Sequence, residues 1–445
     1  MNVRPLKVDL HVHSKYSTRP SEWILRKIGC SESYTEPKDL YNIAKERGMG
    51  LVTITDHNTL AGSLDIAHLE DTFISEEITT YFPEDGCKVH VLVYDINEIQ
   101  HEDITRIRED IFELVSYLNK QGISHAVAHP LYSINDKLTV DHVEHILLLF
   151  NVFELNGSRD AFQNKILHHI VTSLKREDIY FLADKHGIDP HGPDPWNKRL
   201  IAGSDDHSSL NIATTYTVVE SAATVKQFLA GIREGTARTS VKDSSPKTLA
   251  HNLYSIAYQF YRDKLKLDHY ISRELLLRFV DRTLTLHSTE EEGLVNRLKT
   301  TLTNHMPHGL FNRTTPDSMT GLLQSQAKEI LAGNEKMNQM LKSPCKDPKS
   351  AEEAWYEFVV SMSDKILKQL ADTIMDCLSG ANIFNIFNTI GSAGSLYTML
   401  APYFVAYTVF TKDRRFCSLC LEKLGNSRPV SSSPVSYTHL TLPTN

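Results

Sequence analysis

Apolar positions in the first half of the chain come in short, β-branched runs that are separated by stretches of helical period. Val8 to Val12 reads as a first strand, and Pro37 to Arg47 as a helix with proline in its first turn and Gly48 just past its end. Leu51-Val52-Thr53-Ile54-Thr55 is a further strand-like run that ends at Asp56-His57. Similar runs end near His90 (KVHVLV), at His129 (ISHAVAH), at Glu154 (NVFEL) and at Asp205 (RLIAGSDDH). Strands alternating with helices predict βα units and a parallel sheet or barrel up to about residue 240.

After Ser240 the period changes. Leu249 to Leu267, Ser272 to Leu286, Glu290 to Leu302 and Ala351 to Leu378 all read as helices, with few strand signals between them. The division expected is therefore an α/β domain over 1–245 and an all-α domain over 246–425. Between Cys377 and Thr411 there is no charged residue, and Lys412-Asp413-Arg414-Arg415 follows directly. A membrane helix needs about 20 mainly apolar residues. Asn382, Asn385, Asn388, the glycines and Pro402 dilute this stretch, so a buried helical hairpin or a peripheral membrane contact through 383–411 is expected rather than a span. Residues 426–445 fit neither flanking pattern; their string VSYTHLTLPT resembles translated adapter sequence, and the tail is read as non-native or disordered.

Composition narrows the function. Hydrophobic content of 41% and charged content of 23% are those of a folded globular chain. A net charge of −8 provides no global basic field for a phosphate backbone, so small substrates are expected and nucleic acid is not. The six cysteines are scattered, and the chain begins MNVRPLKVDLHVHS without the layout of a secretory signal, so a reducing cytoplasm is expected. Cys417 and Cys420 form one C-x-x-C pair, which is read as two ordinary thiols because no second pair accompanies it.

The chemistry lies at the strand ends. His11 and His13 are two apart on a strand, so both side chains face one side and can share a cation. With 21 histidines in the chain one pair means little. Asp56-His57, Glu77 in SEEIT, His90, His129-Pro130 and Asp205-Asp206-His207 add residue types that divalent metals prefer. Buried together, these groups carry a heavy desolvation cost that shared cations remove. His125, on the face of His129, is expected to be a packed histidine, and Asp206 and His186 to be structural or solvated. Among the basic residues Lys15, Arg19 and Arg159, the last two are taken as candidate phosphate clamps.

At this point the chain resembles the polymerase and histidinol phosphatase (PHP) superfamily of metal-dependent phosphoesterases. The motifs are DLHVHSKYS (Asp9 to Ser17), ITDHNTL (Ile54 to Leu60), AHP (Ala128 to Pro130) and GSDDH (Gly203 to His207), in order over residues 6 to about 240. The resemblance implies a distorted (β/α)7 barrel. It also implies that His11, His13, Glu77 and Asp205 hold one metal, that Glu77 bridges to a second held by His90 and His129, and that His57 and His207 serve a third. The family's Glu-Ile pairing selects Glu77 over Glu76. An aspartate or histidine normally follows the first histidine pair, yet SKYSTRP offers Thr18 and Arg19. Two or three divalent ions, zinc, manganese or iron, are expected accordingly.

The reaction implied is hydrolysis of a small organic phosphate, with His57 or His207 carrying the proton if not committed to metal. A second reading is a hydrolase-like regulatory module. The segment APYFVAYTVFTKDRRF followed by LGNSRPV resembles the connector between such a domain and a glycosyltransferase, in an envelope polysaccharide or glycolipid pathway with a fused or adjacent partner. Nuclease action on DNA ends is a third, disfavoured by the acidic balance.

Overall fold

The computed structural model describes residues 5–20, 23–271, 273–285, 319–342, 347–378 and 385–425. Among the described residues eight strands run β1 (Leu6–Val8), β2 (Ser75–Tyr81), β3 (Lys88–Tyr94), β4 (Ser124–Val127), β5 (Val152–Asn156), β6 (Arg199–Gly203), β7 (Tyr216–Val219) and β8 (Arg238–Ser240). Five of them form one sheet in the order β2-β3-β4-β5-β6, and β1-β7-β8 form a second. β4, β5 and β6 are parallel, whereas β2, β3 and β4 pair antiparallel.

The mixed α/β architecture is as expected, but the ladder does not close into a barrel, and the repeating strand-helix unit fails at β2–β3. There, Pro83-Glu84-Asp85-Gly86 makes a tight turn instead of a helical crossover: Gly86 adopts φ +71, and Asp85 Oδ1 accepts the Cys87 N–H at 2.7 Å. The run Leu51–Thr55 is not a strand either. Its threonine hydroxyls occupy neighbouring backbone groups, Thr55 Oγ1 accepting from Val12 N–H at 2.9 Å and Thr53 Oγ1 donating to the Phe73 carbonyl at 2.8 Å. Single bridges at Val12–Asp206, Val52–Thr72 and His57–Glu77 carry these segments across the gap between the sheets.

Close approach of the segment after β1 to the end of β6 depends on Gly203. A Cβ there would lie 2.4 Å from His11 Cβ and 2.5 Å from His11 N. Asp9 secures the same junction, accepting from Ser204 N and Oγ at 2.8 and 2.6 Å and from Ala213 N at 2.7 Å. Helices cover the outside of the large sheet; Ile111–Gln121, for example, is capped by Asp110 and ends at Gly122 with φ +66. Their apolar faces join Val91, Val93, Val127, Phe150 and Phe153 in the main core.

Beyond β8 the helices are Pro246–Leu265, Leu275–Leu284, Met319–Gly333, Glu335–Lys342, Pro348–Leu378 and Asn385–Leu424, with a short turn of helix at Asp268–Ile271. Tyr258, Phe279, Leu331, Met337, Trp355 and Phe358 form a core of their own. The expected helix Glu290 to Leu302, Cys345 and the tail 426–445 lie outside the described residues. Residues 385–411 belong to one continuous helix, with Pro402 inside it, that packs against Pro348–Leu378; residues 383 and 384 lie outside the described residues. Among the described residues no helix is long and apolar enough to cross a membrane. Cys417 and Cys420, three apart on this helix, are fully buried in the α/β core, which agrees with two ordinary thiols.

Candidate metal centre

One carboxylate organises the site. Glu77 Oε2 lies 3.2 Å from His11 Nε2, 3.2 Å from His13 Nε2 and 3.0 Å from His57 Nδ1. Its Oε1 lies 2.8 Å from His90 Nδ1 and 3.2 Å from His129 Nε2. The alternation of β2 sends Glu77 into this cluster and Glu76 to the opposite face, where it pairs with His101 Nδ1 at 2.9 Å. Asp205 approaches from the other side, with Oδ1 3.4 Å from His11 Nε2, 3.5 Å from His13 Nε2 and 3.7 Å from His207 Nδ1.

Hydrogen bonds behind the cluster fix the tautomers. His11 Nδ1–H donates to Glu154 Oε1 at 2.8 Å, and the other oxygen of Glu154 accepts the His129 backbone N–H at 2.9 Å. His13 Nδ1–H donates to Ser17 Oγ at 2.9 Å, and Ser17 donates onward to Asp56 Oδ1 at 2.8 Å. Both Nε2 atoms are therefore aimed inward, 3.0 Å from one another and beside two carboxylates. Such a backing of ligand imidazoles by carboxylate or hydroxyl is the usual outer layer of a metal site.

These donors fit divalent cations. A carboxylate offers about four lone-pair positions, so five imidazoles crowded on Glu77 cannot all be satisfied as N–H donors. Glu77 Oε2, His57 Nδ1 and His207 Nε2 are buried and make no hydrogen bond. Cations among the rings would relieve the lone-pair conflict, and four groupings have ligand atoms close enough to share one: His11-His13-Asp205, His11-Glu77-His129, His57-Glu77-His90 and His13-His57-His207. Two of the residues, His129 (φ 29) and Asp205 (φ 51), hold left-handed backbone that their side chains disfavour, a strain retained where the surrounding structure enforces it.

Electrostatics follow the same geometry. Burial alone would raise the Glu77 pKa, but His11, His90 and His57 outweigh it and hold the carboxyl well below its usual range. Burial would lower the His13 pKa, yet Asp205 and Glu77 lift it to about 9. His90 goes the other way: burial dominates and pushes it down to about 3. His207, also governed by burial, falls to about 4. His90 and His207 thus offer lone pairs at neutral pH, while His13 holds a proton that a cation would displace.

Sequence reasoning missed Glu32. Its buried carboxylate faces the third-metal histidines, Oε2 3.3 Å from His57 Nε2 and Oε1 3.7 Å from His207 Nε2. Burial would raise its pKa, but His57, His207 and His13 bring it down to about 2. It comes from the CSES turn, 19 positions after His13, and nothing in the sequence separates it from Glu36, which is exposed and paired with Lys15 at 2.6 Å. Glu154, read only as a strand end, is the backing carboxylate of His11.

The cleft over the cluster is lined by Glu32, His57, His90, His129, Tyr132 and Arg159, with Leu25, Leu249, Leu253 and Ile256 as an apolar wall. Arg159 lies with its guanidinium 3.7 Å from the Tyr132 ring centroid and Nη2 3.7 Å from Asp205 Oδ2. Arg19 is exposed and does not reach the cleft, unlike its neighbour Pro20. His125 donates Nδ1–H to the Ile123 carbonyl at 2.8 Å, away from the cluster. Asp206 accepts from Ser208 Oγ and Asn211 N, and His186 contacts Glu144 at 2.5 Å.

No family model matches the chain. Over 80 residues it is 39% identical to an uncharacterized protein of Methanocaldococcus jannaschii, a match that covers 17% of this chain and 45% of that relative. The chain thus spans less than half the length of this curated relative. Among solved structures, PsfC from Pseudomonas syringae PB-5123 is 13% identical, with 59% of this chain and 99% of that chain covered at a TM-score of 0.34. A candidate metal-dependent phosphoesterase from Bifidobacterium adolescentis is 14% identical, with 45% of this chain and 87% of that chain covered at a TM-score of 0.28. At these scores neither likeness carries weight, and the reading below rests on the site's own geometry.

Proposed function

We propose that this chain is a metal-dependent phosphoesterase of the PHP type, hydrolysing a small organic phosphate. The observation that carries the reading is Glu77, a single buried carboxylate with five imidazole nitrogens within 3.2 Å. In this reading the segments joined by single bridges between the two sheets are the weak staves of a distorted (β/α)7 barrel.

His11, His13, Glu77 and Asp205 would hold one cation, and Glu77, His90 and His129 a second. Glu32 would complete a third position with His57 and His207, in place of the acidic or imidazole residue absent from SKYSTRP. Bound divalent ions, Zn²⁺, Mn²⁺ or Fe²⁺, supply a water acidified toward pKa ~7 and neutralise charge on phosphate oxygens. Arg159 contributes a fixed positive charge beside Asp205, placed to grip a phosphate oxygen. His57 and His207 are the more exposed of the site imidazoles, with side chains 16% and 19% exposed; they would be ligands of the third ion or, where water takes its place, would carry the proton for the leaving oxygen. Leu25, Leu249, Leu253 and Ile256 favour a substrate whose organic part is compact and apolar.

The test is turnover of p-nitrophenyl phosphate and its phosphodiester analogue by the Mn²⁺-loaded chain. Hydrolysis should exceed that of a His11→Ala, His13→Ala double variant by at least about a hundredfold. Equal rates for the two proteins would sink the proposal.

A further inference from the structure

The charged run after the apolar stretch has a use that its sequence does not announce. Lys412, Asp413 and Arg414 are consecutive on the helix Asn385–Leu424, and each meets a loop of the α/β body. Lys412 pairs with Asp136, beyond β4, and Arg414 Nε pairs with Asp160 Oδ2 at 2.6 Å. Asp160 itself caps the helix Ala161–Ser173 through the Gln163 N–H at 2.8 Å. Asp413, between them, is only 4% exposed and lies with Oδ2 3.6 Å from Nη1 of Arg159.

Arg159 is therefore held between two carboxylates, Asp205 in the metal cluster and Asp413 on the helix, with its flat face on Tyr132. Its main chain is fixed too, the carbonyl accepting from Ser244 N–H at 2.8 Å. A guanidinium so buried needs a nearby counter-charge. A cation on Asp205 would draw on that carboxylate's charge, and Asp413 would still supply a counter-charge that holds the guanidinium toward the cleft.

We infer that Asp413 is a positioning residue: it sets Arg159 for an anionic phosphate, so that anion binding at the metal cluster depends on the docked carboxy-terminal helix. The inference rests on the phosphoesterase reading in one respect, that Arg159 grips phosphate. Asp413 does not touch the substrate; it acts through Arg159.

The experiment is a double-mutant cycle on the full Mn²⁺-loaded chain, with inorganic phosphate as the titrated probe and calorimetry as the readout. Arg159→Ala and Asp413→Asn should each weaken phosphate binding, Asp413→Asn by about tenfold. In the Arg159→Ala background Asp413→Asn should change nothing further. Asp413→Glu should restore most of the loss, and Lys412→Ala, which removes an exposed ion pair of the same helix and leaves it docked, should stay within about twofold. Bound manganese per chain should be unaltered in every variant. If Arg159→Ala binds phosphate as tightly as the parent, the clamp role of Arg159 fails and the inference fails with it. If Arg159→Ala weakens binding but Asp413→Asn does not, or the two losses simply add, the phosphate clamp stands and the positioning role of Asp413 is overturned.

Discussion

His13 shows what a metal site costs when it holds no metal. Its pKa of about 9 lies above the ordinary 6.5 because Asp205 and Glu77 favour its proton. A raised histidine pKa stabilises the fold fully below about 6.5, and that contribution is lost as pH rises through about 9. The melting temperature of the EDTA-treated chain should accordingly fall between these values, whereas the Mn²⁺-loaded chain should hold or gain, because cation binding releases the same protons. A loaded chain that follows the metal-free profile would contradict the assignment. Glu32→Gln should lower metal content by at most one ion per chain, leaving the ions of the Glu77 bridge; elemental analysis reads the difference. At this scale His57, His129 and Asp205 were legible because they follow β-branched runs, and His11–His13 and Asp205–His207 because they pair at spacings of two; Glu77 and His90 lie within β2 and β3, and Glu77 was singled out only by the resemblance. Glu32 was not legible, since it sits in a turn where residue type alone makes Glu36 its equal, and only the fold shows that one faces His57 while the other faces Lys15.

Pairing between segments, rather than helix propensity, decides where the ligands point. The helix at Pro37 was readable to within a residue of its end, because proline and glycine punctuate it. The antiparallel β2–β3 pair was equally marked by Pro83 to Gly86, but the pattern of alternating strands and helices concealed it. Leu51 to Thr55 has strand composition and forms no strand, since its hydroxyls take over the hydrogen bonds a ladder would use. The segment after β1 is held against β6 by Asp9 and by the space that Gly203 leaves. Gly203→Ala should therefore push His11 out of line, with a loss of about 2–4 kcal/mol in stability and weakened metal retention. Denaturant unfolding in parallel with metal analysis checks this, and an unchanged midpoint would show that the junction can yield.

For the whole molecule, the helices after Ser240 do more than follow the α/β body. Leu253 and Ile256 of Pro246–Leu265 pack with Leu25 and Val405, and Cys417, Cys420 and Leu421 enter the main core. Helical period announces an apolar face but not which surface covers it, so this packing was not readable from the sequence. Removing everything after residue 245 should expose that core and one wall of the cleft, giving a protein that aggregates or melts well below the full chain. An equally stable, metal-retaining fragment would show that the helices are dispensable to the fold. The central claim, that Glu77 bridges a cluster of cations, is tested most directly by counting metal ions per chain after loading and desalting. The account predicts at least two ions in the parent and at least one fewer in Glu77→Gln; a parent that retains fewer than two, or a Glu77→Gln chain that retains as many as the parent, would contradict it.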